Sequence, residues 1–151
     1  MDFPGDDFET YKLRPGDLLL NEGQSPELLG RPAIYRGEIP GACFTNTLIR
    51  FRAVGPLAAD FALAVFRHYM RAGRFTAEAT ITTNIAHLSL GRLRTVEFPL
   101  PPLTEQQRIA AEVERHLSIA DEMEASADAS LRRAERLRQA ILKRAFEGKL
   151  G

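Results

Sequence analysis

Apolar positions recur along this chain with two different periods, and the change of period divides it. Up to about residue 98 they come in short clusters broken by Gly, Pro, Asn and Asp. Leu13-Arg14-Pro15-Gly16-Asp17 reads as a turn into a short apolar strand over 18–20. Residues 21–30 read as a loop and 32–35 as a second strand, ended by Arg36-Gly37. The clearest two-residue period lies over 43–52. There Cys43, Thr45, Thr47, Ile49 and Phe51 share one face, and Phe44, Asn46, Leu48, Arg50 and Arg52 share the other. Residues 57–72 switch to helical spacing, with Leu57, Phe61, Ala64, Val65 and Tyr69 on one stripe and Gly73 as the stop. Residues 80–84 are polar, with Asn84 placed to cap a short turn through Leu88, and 95–100 read as another short strand.

Pro99-Leu100-Pro101-Pro102 marks the change. Beyond it no proline follows, and no glycine comes before Gly148. Thr104 and Gln107 have the spacing of a capping box. A helix from 104 to about 147 is on the order of 65 Å long at 1.5 Å per residue. One heptad column holds Val113, Ala120, Ala127, Ala134 and Ile141; the alternate column holds Ala110, Leu117, Glu124, Leu131, Arg138 and Ala145. The expected seam is Val113, Leu117, Ala120, Ala127, Leu131, Ala134 and Ile141, with alanines that let helix axes approach closely. Residues 105–128 carry seven acids and two bases, and residues 129–149 carry two acids and seven bases, so the halves are −5 and +5. An antiparallel pair sets these halves against each other, whereas a parallel pair sets like against like. The same gradient also suits the macrodipole of a lone helix. The expectation is an α+β fold: a compact part over 1–98, a junction over 99–103, and a long helix over 104–151 that forms an antiparallel coiled coil.

Composition adds exclusions. The chain has 151 residues, 44% hydrophobic and 26% charged, an ordinary globular mix. Twenty basic and twenty acidic residues cancel, so no global field announces nucleic acid or membrane. The single cysteine, Cys43, can form neither an internal disulfide nor, alone, a zinc site. The longest plainly apolar run, 61–66, is far short of the roughly 20 residues that span a bilayer. The acidic start carries no signal peptide. These features predict a soluble, cytoplasmic protein.

Catalytic signatures are missing. No G-x-x-x-x-G-K-[ST], G-x-G-x-x-G or G-x-S-x-G occurs, nor the Pro-Pro-Tyr or Pro-Pro-Phe of amino-methyltransferases. His68, His87 and His116 lack metal-ligand spacing, and no metal site is expected. Glu147-Gly148-Lys149 matches the E-x-K of a nuclease site, but no proline–aspartate pair lies near it. Recognition chemistry is present instead. The compact part has ten Arg and one Lys, and arginine suits bidentate contacts to guanine or phosphate. A general preference for Arg over Lys explains the same count. Gln24, Ser25, Arg31, Thr45, Asn46, Arg74, Thr82, Thr83 and Asn84 fall in loops or at element ends, where recognition residues tend to sit on a rigid scaffold. Each has an alternative as ordinary turn chemistry.

Pro99-Leu-Pro-Pro-Leu-Thr-Glu-Gln-Gln-Arg-Ile109 resembles the junction in specificity subunits of type I restriction–modification systems. There a target recognition domain passes through a proline-rich strand exit and a Glu-Gln pair into a conserved helix. Ile141-Leu-Lys-Arg-Ala-Phe-Glu-Gly-Lys-Leu150 resembles the end of that helix. Leu13-Arg-Pro-Gly-Asp-Leu-Leu-Leu20, Gly30-Arg31 and Thr82-Thr83-Asn84-Ile85 resemble segments of the recognition domain. The resemblance covers nearly the whole chain.

It implies a non-catalytic DNA-binding subunit. Two recognition domains each read half of a bipartite site on double-stranded DNA. Two conserved helices pack antiparallel as a spacer and dock the methylation subunits. S-adenosylmethionine, ATP and Mg then belong to the partner subunits, which methylate adenine and, with a restriction subunit, cleave DNA. This chain resembles half a subunit with a short, truncated recognition domain, so a homodimer through residues 104–149 and an inverted-repeat target are expected. The competing reading is a truncated regulatory fragment that pairs through its helix with other restriction–modification subunits without reading DNA.

Overall fold

A computed structural model describes residues 5–77, 79–82 and 85–148. The chain falls into two compact units, residues 1–110 and 111–151. The first is mixed α and β. It opens with a helix, α1 (Gly5–Tyr11). An antiparallel sheet follows, built from β1 (Asp17–Asn21), β3 (Pro32–Ile34) and β4 (Leu48–Arg52) in the order β3-β1-β4. A second sheet holds β2 (Gly23–Gln24), β5 (Thr80–Thr82) and β6 (Ile85–His87) in the order β2-β6-β5. Helix α2 (Ala59–Arg71) and the short α3 (Arg74–Ala77) and α4 (Leu90–Leu93) complete this unit's core, and α5 (Leu103–Phe146) is the long helix. The fold is α+β with one long C-terminal helix, as the periodicities predict.

The core forms where the two periods meet. Leu18 and Leu20 alternate inward from β1, and Ile49 does so from β4. Helix α2 covers them with Phe61, Ala62, Val65, Phe66 and Tyr69. Phe66 packs edge-on against Phe51 at 5.0 Å between ring centres and against Phe98 at 5.5 Å. Gly73 ends the helix with φ of 68°, a left-handed turn that costs glycine nothing.

Four expected elements come out differently. The strand expected over 43–52 keeps only Leu48–Arg52. Ahead of it the Leu48 N–H donates to the Thr45 carbonyl at 3.1 Å, a turn that the Thr45 and Thr47 hydroxyls close at 2.8 Å. Cys43 makes only an isolated bridge to Lys12. Residues 95–100 form no strand, because Pro99 has no N–H to give a ladder. Phe98 is held by ring packing instead, and the Glu97 carbonyl accepts from the Tyr69 hydroxyl at 2.7 Å. The expected loop over 21–30 contains β2 and a 3-10 turn, Pro26–Leu28. The expected turn before Leu88 is β6, which buries Ala86 and exposes Ile85 and His87; Asn84 lies outside the described residues.

The start of α5 also differs. The Glu105 and Gln106 N–H groups both donate to the Pro102 carbonyl, so the helix is already running at Thr104, which therefore does not cap it. Gln106 supplies the local tie. Its side chain is fully buried. Its Oε1 accepts from the Ala58 N–H at 2.8 Å, and its Nε2 donates to the carbonyls of Pro56 at 2.9 Å and Pro101 at 2.8 Å.

A second buried polar group ties the first sheet. Asp17, 1% exposed, receives Arg52 Nε at 2.6 Å, Arg52 Nη2 at 2.7 Å and the Arg14 N–H at 2.8 Å. Burial pushes the Asp17 carboxyl up, but the bonds from Arg52 and Arg14 and the charges of Arg52 and Arg50 outweigh it and hold it below its ordinary value.

Gln106→Ala leaves one buried donor and two carbonyls without this partner, and is expected to cost about 2–4 kcal/mol in chemical denaturation. Asp17→Asn is expected to lower stability by about 2–4 kcal/mol at neutral pH. Because the folded carboxyl is the stronger acid, that gap is full above about pH 4 and closes as the pH falls below it. Thermal unfolding of both proteins across this range checks the convergence.

Candidate nucleic-acid interface

The chain from Leu18 to Gln24 serves both sheets. Asn21 makes the last pairing of β1, with Leu48, and Gly23 makes the first pairing of β2, with His87. Between them the Glu22 N–H donates to the Thr47 carbonyl at 3.2 Å, and the Glu22 carbonyl accepts from the Leu88 N–H at 2.8 Å. One residue back, the Asn21 carbonyl accepts from the Gly30 N–H at 3.1 Å. Main-chain bonds thus gather four separate segments at one joint.

This joint brings together most of the predicted recognition residues. Gln24 and Ser25 leave it along β2, Arg31 follows Gly30, and Thr45 and Asn46 precede Thr47. Thr82 pairs with Ile85 beside the Gln24–Ala86 pair, at the same end of the second sheet. Gln24, Arg31, Thr45 and Asn46 are exposed and Ser25 is half-buried. Thr83 and Asn84 lie outside the described residues. Arg74 is engaged elsewhere: its guanidinium stacks 4.7 Å from the Tyr69 ring centre and meets Glu97 at 3.5 Å.

The joint is preformed by close packing. Gly30 has φ of 67°, and a Cβ built there would lie 2.4 Å from Cδ2 of buried Phe75. Thr76, next to Phe75, donates to the Pro26 carbonyl at 2.8 Å and holds α3 against the turn that follows Ser25. The loop that carries Arg31 is therefore fixed from beneath.

Two exposed side chains on this surface escape the sequence reading. Ile85 and His87 project from one face of β6 while Ala86 and Leu88 are buried. A Cβ on Gly23 would lie 3.1 Å from the His87 ring, so glycine there makes room for the imidazole. The signal was the alternation over 85–88, too short to stand out beside a polar run.

Ion pairing sorts the bases of this unit. Lys12, Arg36, Arg52 and Arg74 each face a carboxylate. Arg50 donates to the carbonyls of Thr10 and Lys12 and lies 4.9 Å over the Phe44 ring. Arg31 is exposed and forms no ion pair among the described residues, which leaves its five donors available for phosphate or a guanine edge. Among the described residues no group of three or more His, Cys, Asp or Glu is arranged to hold a metal, and no helix is long and apolar enough to cross a membrane.

Residues 33–131 match the family model of the type I restriction modification DNA specificity domain. The chain belongs to that family. It is 31% identical over 148 residues to the type I restriction enzyme StySPI specificity subunit of Salmonella potsdam, covering 93% of this chain and 31% of that protein. It is 29% identical over 110 residues to a protein assigned as the type I restriction enzyme MjaX specificity subunit of Methanocaldococcus jannaschii, covering 72% of this chain and 26% of that protein. The chain thus spans about a third or less of the length of these relatives. The specificity-domain match takes in β3, β4, α2 and the first part of α5, and so includes the turn at Thr45, the proline junction and Gln106.

Gly30→Ala is expected to force Phe75 from its place and to strain a left-handed backbone, at about 2–3 kcal/mol. Retained stability in thermal unfolding would mean that the loop beneath Arg31 is not held as described.

Proposed function

We propose that this chain is a DNA-recognition subunit of a type I restriction–modification system that directs partner methylation and restriction subunits to a bipartite site. The supporting observation is that exposed donors and acceptors from segments far apart in sequence leave one main-chain joint, two of whose segments, at Thr47 and Leu88, belong to the specificity-domain match. Base edges are read by converging side chains of this kind, whereas phosphate contacts position the protein without selecting sequence. In this reading Gln24, Ser25, Arg31, Thr45, Asn46, Thr82, Thr83 and Asn84 contact the DNA, with Ile85 and His87 as additional contacts. Arg74 serves better as a support for the segment at Glu97 than as a base reader.

The division of labour places residues 1–98 on DNA, residues 99–103 at the junction and residues 104–151 in pairing and partner docking. Catalysis, with its S-adenosylmethionine, ATP and Mg, belongs to the partner subunits. Two copies pair antiparallel through residues 104–149, so the split of −5 and +5 along the helix becomes attraction. Two-fold symmetry then requires an inverted repeat as target.

Co-expression with a methylation subunit of the same system, followed by mapping of methylated adenine, tests this. The expected motif is palindromic and interrupted, and Arg31→Ala is expected to relax it or weaken its methylation. A non-palindromic motif would show pairing with a different recognition domain. Absence of new methylation while the folded chain binds its partner would support a regulatory fragment that does not read DNA.

A further inference from the structure

The face of α5 beyond residue 110 carries large apolar side chains in water. Met123 is 68% exposed, Leu137 61%, Leu131 59% and Ile141 48%. They fall on two sides of a small-residue column, Ala120, Ala127 and Ala134, that ends at Ile141. On one side lie Met123, Ser130, Leu137 and Arg144, each seven residues from the next. On the other lie Leu117, Glu124, Leu131 and Arg138, also seven apart. A pair of helices can bury the small-residue column with only one of these sides at a time.

Charge decides between them. Burying the side of Leu117 and Leu131 drives Glu124 and Arg138 into the seam, where desolvation opposes them. It also brings the flanking column Glu114, Asp121, Asp128 and Glu135 onto its own copy in an antiparallel pair. Burying the side of Met123 and Leu137 takes Glu124 and Arg138 out of the seam and moves the acidic column away from its own copy; Arg144 enters instead, near the end of the helix, where its long side chain reaches water. Glu124, Leu131 and Arg138 then form the flank, where ion pairs are hydrated and compatible with pairing. Neither Glu124 nor Arg138 forms an ion pair among the described residues.

We propose that two copies of α5 cross antiparallel with Leu131 beside its own counterpart at the two-fold axis, Met123 and Leu137 in the seam, and Glu124 paired with Arg138 of the second copy. The inference rests on the homodimer reading above and adds its seam and register. Glu124 and Arg138 each lie seven residues from Leu131, so a two-fold axis there brings them together in both directions at once. The same register sets Leu137 on Ala127 of the second copy, Met123 against Ile141, and Ala134 against Ser130. On the opposite flank Arg133 meets its own copy, exposed to water that screens the repulsion.

Sedimentation of the full chain and oxidative cross-linking test this together. The wild type is expected to dimerise. Glu124→Arg and Arg138→Glu are each expected to weaken self-association about tenfold, because two attractions become two repulsions. The double variant, which exchanges the charges, is expected to restore the dimer. In a Cys43→Ala background, Leu131→Cys is expected to give a covalent dimer, and Asp128→Cys, which meets its own copy only in the other seam, is not. A dimer insensitive to the reversals, or one that cross-links at 128 and not at 131, overturns the register and leaves the second copy as partner. A wild type that stays monomeric and assembles only with a different helical subunit overturns the homodimer as well.

Discussion

One carboxamide does the joining on which the compact unit depends. Residues 99–102 contain three prolines, and Pro56 and Ala58 lie in a turn without a sheet to satisfy them. Such segments have too few N–H groups to stitch themselves together, and their carbonyls cannot be left dry at acceptable cost. Gln106 is the right length and has both a donor and an acceptor end. It closes one N–H and two carbonyls from the two segments at a single point. A carboxylate at 106 could accept but not donate, and a hydrocarbon could do neither. The first turns of α5 are therefore part of the first unit's own packing, and the boundary between the compact units falls after Ala110.

Asp17 plays the corresponding part within the first sheet. Its pairing with Arg52 links β1 to β4 by side chains at the same position where the backbones are in register. With Asp17 and Gln106 satisfied and the Tyr69 hydroxyl bonded to Glu97, the remaining contacts among the described core residues are apolar, and they converge on Phe66, Phe75 and Phe98. Polar satisfaction fixes which segments meet, and ring packing fills the space between them.

The elements with long, regular periods were legible from sequence. The helix over 59–71 and the long helix had enough turns for a stripe to stand clear; residues 18–20 announced their strand as an apolar run after a turn, and Ile49 by alternation. Among elements of two or three residues, β3 was legible as the strand over 32–35, but β2 and β6 were not. Strands β2 and β6 exist because each gives the other a ladder, and nothing within Gly23-Gln24 or Ile85-Ala86-His87 alone commits the chain to extension. The turn at Thr45 interrupts a good alternating pattern because its hydroxyls and carbonyls hydrogen-bond locally, a competition that propensity does not weigh. Gln106 sat in plain view within the Glu-Gln pair, but its burial depends on segments 50 residues away. The candidate recognition residues were picked as loop residues, and what links Gln24, Ser25, Arg31, Thr45 and Asn46, a joint between two sheets, is a property of topology alone.

The joint at Glu22 has a consequence for how such a protein changes over time. Every bond reported there runs from main chain to main chain, so none depends on the identity of the side chains that project outward. Substitutions at Gln24, Arg31, Thr45 or Asn46 can alter what is presented while the frame that presents it stays intact. A lineage can rewrite such an address letter by letter without first rebuilding the page. The places closed to this drift are the ones beneath: Gly30 against a phenyl ring, and the amide of Gln106.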